Sequence, residues 1–280
     1  ESIQVILSSL VQRRPTVILL EDLHWADPSS IELLRAILME FRHPALLLCL
    51  YRPQFSLFSS HQSASLGEIY HEISLQDLSP TESQEMVQSL LKTGIIPKEL
   101  ERFLQRKVEG NPFYLEEVIN ALIESGVLRK DNGTWQVTVE IKESEVSSTI
   151  NGVITARLDR LERETRRVLQ EASVIGRSFL YDILTRITEL KEQCDRHLLG
   201  LERLDLIRAR TIQPDLEYIF KHALTQEIVY KGLLKKERQK IHERIGLVME
   251  QLFQDRLPEF YETLAYHFSR GNSPDKAIDY

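Results

Sequence analysis

The residues best suited to chemistry stand together near the start of the chain, in the run Val17-Ile18-Leu19-Leu20-Glu21-Asp22-Leu23-His24-Trp25-Ala26-Asp27. A wholly apolar stretch ends there in two adjacent carboxylates. Read as a strand of a parallel sheet, its carboxyl end is where ligands of open α/β sheets sit. Carboxylates at that edge can hold a Mg²⁺ through its waters and can orient a water for attack on a phosphoryl group. The same residues also read without chemistry, as a solvated strand end followed by Asp27 capping a helix. His24, His61 and His71 show no metal-site spacing, and no Cys or further His is positioned to complete a zinc site.

The flanking sequence supplies the elements that would hold these carboxylates. Thr16 to Leu20 and Ala45 to Leu50 are short apolar runs of the kind buried on both faces of a parallel sheet. Between them, Asp27 as N-cap and Pro28 at the first helical position start a helix whose stripe is Ile31, Leu34, Leu38 and Phe41. Strand, crossover helix and strand make a βαβ unit. Ile3 to Val11 reads as a helix, Ser56 to Ser65 as a loop, and His71 to Leu75 as a third strand. From Leu78 the pattern turns helical. Ser79-Pro80-Thr81-Glu82 is a capping box, a second helix follows Pro97, and a third starts at Asn111-Pro112. Val127 to Val139 reads as a hairpin turning at Asp131-Asn132-Gly133. A helical stripe then runs through Leu158, Leu161, Val168, Ala172 and Ile175. Two more helices are expected at Ser178 to Ile187 and Glu189 to Leu204, and a two-stranded wing at Leu206 to Ala209 with Glu217 to Phe220. Three helices and a hairpin fit a winged-helix fold. The rest is nearly all helix, and Leu264-Ala265, Gly271 and Ala277 resemble one tetratricopeptide unit.

Composition sets the outer bounds. A chain of 280 residues suggests about two domains. Its 42% apolar and 28% charged content is that of a globular protein. A net charge of −7 speaks against a surface that binds nucleic acid over its whole extent. The helix Glu189 to Leu204, which would read DNA in a winged helix, has an acidic balance that repels phosphates, so DNA is not an expected partner. The longest apolar runs fall short of the ~20 residues of a membrane helix, so no membrane is expected. Cys49 and Cys194 form no disulfide framework, which fits a reducing cytoplasmic setting. The charge-rich runs Arg157 to Arg167 and Lys235 to Arg244 read as solvated helix faces with i,i+4 pairs. The first residue is Glu1 and the last residues read as a helix cut partway, so an internal piece of a longer chain is expected.

The run from Val17 to Asp27 resembles the Walker B segment of the STAND class of signalling ATPases, a branch of the AAA+-like P-loop fold. That class occurs fused to class III adenylate/guanylate cyclases, LuxR-type activators and serine/threonine kinases. Three further stretches resemble it in order. Leu50-Tyr51-Arg52-Pro53 is similar to the end of the next strand, with its sensor-1 arginine. Glu109-Gly110-Asn111-Pro112-Phe113-Tyr114-Leu115 is similar to the lid motif whose proline packs near adenine. Phe220-Lys221-His222-Ala223-Leu224, with Glu227 and Tyr230, is similar to the helix start after the wing, where related switches place a histidine on the β-phosphate of ADP. Together these span nearly the whole chain.

The resemblance implies ATP/ADP and Mg²⁺ as ligands. It makes Glu21 the Mg²⁺-water ligand, Asp22 the water-orienting acid and Arg52 a sensor of the γ-phosphate. Gly110, Asn111, Pro112 and His222 become nucleotide contacts. Without it, Arg52 reads as a strand-end cation for a surface acid, Pro112 as a first-turn proline and His222 as a structural residue. The family's first acid is usually Asp, so the Glu21-Asp22 order departs from the pattern and the two roles can blur or exchange. No Gly-Lys pair occurs in the chain, so the phosphate-cradling loop G-x-x-x-x-G-K-[ST] is missing. In the family that loop precedes the Walker B strand, and this chain alone is expected to bind ATP weakly or not at all. The implied architecture is the C-terminal part of an α/β P-loop NTPase core (1–77), a helical lid plus hairpin (78–150), a winged-helix domain (151–222) and the start of a tetratricopeptide-like helical region (223–280), mostly α overall. The implied function is an ATP/ADP-dependent switch controlling an attached output domain such as a cyclase, kinase or transcription activator, with ATP-dependent self-association. The other reading is a catalytically inactive scaffold that binds protein partners through its helical and winged-helix parts.

Overall fold

A computed structural model describes residues 14–41, 44–108, 110–141, 146–211 and 215–280, together with 5, 7–9 and 11. The expected helix from Ile3 to Val11 falls partly outside the described residues, as does Glu109; the described residues of that helix are helical. The chain divides into two units, Glu1–Gln76 and Asp77–Tyr280.

In the first unit, β1 (Thr16–Leu20) and β2 (Ala45–Cys49) pair in parallel, from Thr16 opposite Ala45 to Leu20 opposite Cys49. The crossover is α1 (Pro28–Glu40), and it starts as its sequence dictates: the Asp27 carboxylate accepts from the Ser30 N–H at 3.0 Å and Pro28 stands in the first turn. Ile31, Leu23, Leu57 and Phe58 form the core, with Leu34, Leu38 and Phe55 packed on it.

The strands are not buried on both faces. Val17, Leu19, Leu46 and Leu48 are all exposed, from 42% to 64%. A single crossover helix covers only one side of a two-stranded sheet, so alternate residues are left bare. His71 to Leu75 forms no strand; Ile73 and Leu75 stand in solvent, and among the described residues their alternation has no partner strand to bond. The expected loop at Ser56 to Ser65 contains the start of α2 (Ser60–Leu66), begun by a capping box between Ser59 and Gln62.

The second unit holds two cores. The first is built from α3 (Pro80–Leu91), α4 (Lys98–Lys107), α5 (Pro112–Glu124) and the hairpin β3 (Leu128–Asp131) with β4 (Thr134–Val137). Ser79 and Glu82 cap α3 reciprocally. Asn132 and Gly133 take positive φ of 45° and 83°, as a tight two-residue hairpin requires. The Trp135 indole donates to the Leu91 carbonyl at 2.8 Å, closing the hairpin over the helices.

The second core runs through α6 (Ile150–Asp159), α7 (Arg163–Ile175), β5 (Ser178–Leu180), α8 (Tyr181–Ile187), α9 (Cys194–Arg203), β6 (Ile207–Thr211) and β7 (Glu217–Phe220). It continues into α10 (Ala223–Lys231), α11 (Lys235–Leu252), α12 (Tyr261–Arg270) and α13 (Pro274–Asp279). The expected two-stranded wing is a three-stranded antiparallel sheet in the order β5-β7-β6. Ser178 to Leu180, expected as the head of a helix, pairs with β7 and buries Phe179 against Phe220.

The charged runs are also not uniformly solvated. Arg157 is 2% exposed and donates to Glu117 at 2.5 Å, to Glu124 at 2.5 Å and to the Leu204 carbonyl at 2.8 Å. It thereby ties α5 of one core to α6 and the end of α9 in the other. Glu171, fully buried on α7, accepts from Arg244 at 3.1 Å and from Arg167 at 3.4 Å.

Candidate functional site

The sequence-predicted residues fall into two groups, one in each unit. In the first unit the β ladder continues beyond the strands: the Leu50 N–H donates to the Leu20 carbonyl at 2.8 Å and the Leu23 N–H to the Leu50 carbonyl at 3.1 Å. Glu21 and Asp22 leave β1, and Arg52 leaves β2, at this one sheet edge, and all three are exposed. Asp22 takes the left-handed conformation with φ 57°, which a short polar side chain tolerates. It opens a single 3₁₀ turn, Leu23–Trp25, anchored by the buried Leu23. Among the described residues neither buried His24 ring nitrogen has a hydrogen-bond partner, and the ring lies 5.2 Å from that of Trp25.

Asp27 is committed as a cap. Its hydrogen bonds from the Ser30 hydroxyl, at 2.6 Å, and the Ser30 N–H hold its carboxyl below the usual carboxylate range. The remaining acids at this edge offer oxygen donors only, which fits Mg²⁺. Among the described residues no three metal-ligating side chains cluster, so a cation held by Glu21 and Asp22 would take its other ligands from water or phosphate oxygens.

The second group assembles in the other unit. The Leu78 N–H donates to the Gly110 carbonyl at 2.8 Å. Gly110 has φ +84°, and a Cβ there would lie 2.5 Å from the Leu78 carbonyl oxygen. Gly110→Ala is therefore expected to cost about 1–3 kcal/mol in backbone strain, read as a lowered midpoint in thermal unfolding. Asn111 caps α5 by accepting from the Tyr114 N–H at 2.9 Å, and Pro112 occupies the first turn. Next along, the Phe113 ring lies 3.9 Å from the His222 imidazole, inclined by 33°. His222 stands between β7 and α10 as the residue before the helix.

One turn beyond Pro112, Glu116 reaches the same histidine. Its Oε2 lies 3.5 Å from His222 Nε2, an ion-pair distance longer than a good hydrogen bond. Its Oε1 accepts from Lys221 Nζ, and Lys221 also donates to Asp205. His222 first, and Lys221 after it, hold the Glu116 carboxyl down to about 2 against the opposing effect of burial. The structure thus joins Gly110, Asn111 and Pro112 to His222 through Phe113 and Glu116. Sequence reading missed Glu116, though its place four residues after Pro112 puts it on the same helix face. Asp205 carried no local signal, since it arrives from the turn after α9.

A cleft of about 440 Å³ opens between α7 and α11, lined by Arg167, Lys240 and Arg244 and by Glu189, Glu237 and Glu243. It contains none of the sequence-predicted residues and its charges are of both signs.

Comparison with known proteins places this geometry in context. Residues 79–135 match a family model described as a Domain of unknown function (DUF8739). An uncharacterized protein of Rhizobium meliloti is 25% identical over 97% of this chain, which spans 26% of that protein. A hybrid signal transduction histidine kinase G of Dictyostelium discoideum is 24% identical over 54% of the chain, which spans 6% of its length. Among solved structures, the fold is similar to that of a Signal Transduction ATPase with Numerous Domains (STAND) protein with a tetratricopeptide repeat sensor from Pyrococcus horikoshii. The TM-score is 0.63 at 14% identity, over 94% of this chain and 35% of that one. A likeness at this identity speaks for the fold.

Proposed function

We propose that this chain is the later part of a STAND-class nucleotide switch, a signal-transduction ATPase module that reads ATP against ADP. The observation that carries the reading is the packing of His222 on the helix begun by Asn111 and Pro112, with ring centroids of Phe113 and His222 3.9 Å apart. Two stretches that resemble the family's lid and its ADP-contacting histidine, distant in sequence, meet in space. The fold likeness over 94% of the chain supports the same reading.

In this proposal β1, α1 and β2 are the later part of a P-loop core within 1–77, and α3–α5 with their hairpin are the lid within 78–150. The order α7-β5-α8-α9-β6-β7, with the sheet order β5-β7-β6, supports a winged helix within 151–222. The helices α11 to α13 support the start of a tetratricopeptide-like region within 223–280. The partner would be an attached signalling output domain, and self-association on ATP belongs to the same proposal.

Glu21 and Asp22 would hold Mg²⁺ through its waters, and Asp22 would also orient the attacking water. Bound Mg²⁺ supplies neutralisation of phosphate charge. Arg52, on the neighbouring strand end, offers a fixed cation with a planar fork of donors for the γ-phosphate. Gly110, Asn111 and Pro112 would shape the adenine side, and His222 would meet the β-phosphate. The phosphate cradle itself would come from sequence outside these 280 residues, since the chain has no Gly-Lys pair.

The test is nucleotide binding and turnover by the full-length protein. Asp22→Asn is expected to lower hydrolysis roughly 10²–10⁴-fold while ATP still binds. A folded protein that contains a complete P-loop and binds no nucleotide would overturn the switch and leave the scaffold reading.

A further inference from the structure

We infer that Glu116 is a positioning residue for a nucleoside diphosphate: with Phe113 it fixes the His222 imidazole so that Nδ1 is presented to the β-phosphate. The inference rests on the nucleotide-switch reading above and names the residue that makes His222 fit for its part.

An imidazole turns about two side-chain bonds. To meet a phosphate it must lose that freedom, with one nitrogen held from behind while the other faces the ligand, as carboxylates do behind metal-bound histidines. Three features of the site supply this. The Phe113 ring lies against the imidazole face at 3.9 Å and fixes its plane. Glu116 Oε2 faces Nε2 at 3.5 Å, close enough to hold it and too long to be its final hydrogen bond. Among the described residues the buried Nε2 makes no hydrogen bond.

Glu116 is itself held. Lys221 Nζ takes its other oxygen, and Asp205 takes Lys221 from the far side. Phe113 and Glu116 both belong to α5, the helix that Asn111 and Pro112 begin. One rigid element therefore shapes the proposed adenine side and aims the proposed phosphate contact. The neighbouring Glu117 shows what a purely structural acid looks like here. It turns into Arg157 with its side chain 3% exposed, whereas the Glu116 and His222 side chains are 14% and 27% exposed and open to a ligand.

The experiment measures ADP and ATP dissociation constants and thermal midpoints of the full-length protein, as wild type, Glu116→Gln, His222→Ala and the double variant. Glu116→Gln is expected to weaken ADP binding about tenfold, with ATP binding unchanged and the thermal midpoint lowered by loss of the Lys221 pair. The double variant is expected to bind ADP no worse than His222→Ala alone, because Glu116 acts only through that ring. Phe113→Leu, which leaves every charge in place, is expected to give the same selective loss and serves if Glu116→Gln does not fold. Unchanged or tighter ADP binding in Glu116→Gln would overturn the inference, and tighter binding would make Glu116 a competitor of the phosphate. Losses that add in the double variant would overturn it too. Failure of the wild type to bind ADP would instead overturn the switch reading on which it rests.

Discussion

Arg157→Ala is expected to destabilise the unit Asp77–Tyr280 by about 3–5 kcal/mol, the range for breaking a buried ion pair from one side. The side chains of Arg157, Glu117 and Glu124 are 2%, 3% and 16% exposed. Burial opposes the guanidinium charge, and Glu124 and Glu117 outweigh it. Alanine would remove one donor group and strand two carboxylates and the Leu204 carbonyl, which accepts from Arg157 at 2.8 Å. The cost comes mainly from the acids left behind. Replacing Arg157, Glu117 and Glu124 together by Met, Met and Leu should therefore be close to neutral. Arg166→Ala, which opens an ion pair 2.8 Å long between half-exposed side chains, is expected to cost less than about 1 kcal/mol. Urea unfolding followed by circular dichroism checks all three. A loss under about 1 kcal/mol for Arg157→Ala would mean that water reaches Glu117 and Glu124 once the arginine is gone.

This clamp was hidden in the sequence for a physical reason. Arg157 heads a run of arginines, and a run of charge is ordinarily a solvated face. What buries it is the meeting of α5 and α6, and that meeting is set by apolar residues such as Val118, Val153 and Ile154. Signals that act within one turn of backbone were legible. Asp27 with Pro28, Ser79 with Glu82, and Asn132-Gly133 each do in the structure what local chemistry demands. Features that need a distant partner were not. β5 is three residues long, too short to show alternation, and it exists because β7 lies alongside it. His71 to Leu75 failed in the opposite sense, with the alternation but, among the described residues, no strand to pair with.

The site divides the same way. Asn111 and Pro112 could be read as a helix start and His222 as a residue before a helix. Their meeting through Phe113 could not be read from spacing, because it depends on how α5 packs beside the end of β7. Glu116 belongs to both kinds: its place on the helix face was legible and its partners were not. The bare face of β1 and β2 shows the limit of pattern reading. Val17 and Leu19 are as apolar as core residues, yet they stay 64% and 51% exposed.

Acid is expected to weaken the second unit well before its carboxylates protonate, because of a buried histidine pair that sequence reading passed over. His242 on α11 and His267 on α12 are each 1% exposed, with their Nδ1 atoms 2.9 Å apart. His242 Nε2 also lies 3.1 Å from the Tyr230 hydroxyl on α10. Between the two Nδ1 atoms one nitrogen donates and the other accepts. Protonating the accepting ring turns its Nδ1 into a second donor and sets two N–H groups against each other, whereas the donating ring would take its proton at Nε2 as a charge in a buried setting. Burial, with Arg270 and Arg238 nearby, holds His242 down to about 4; burial, with His242 and Arg270, holds His267 down to about 3. In the unfolded chain each titrates near 6.5. The unfolded state therefore binds more protons across this window, so the stabilisation is complete above pH 6.5 and is lost as pH falls toward 4. Between pH 7 and pH 5 the pair is expected to cost about 2–4 kcal/mol. Glu116 loses its contribution in the same direction but lower, as pH drops below 4.5 toward 2, so the two effects separate on the pH axis. Urea midpoints at pH 7, 6 and 5 should fall steeply in the wild type and shallowly in the double variant His242→Gln/His267→Gln. Equal slopes would show that the imidazoles take up protons in the folded state as readily as in the unfolded one. The steep slope would instead place the acid-labile joint of this unit among α10, α11 and α12, the helices that follow directly from His222.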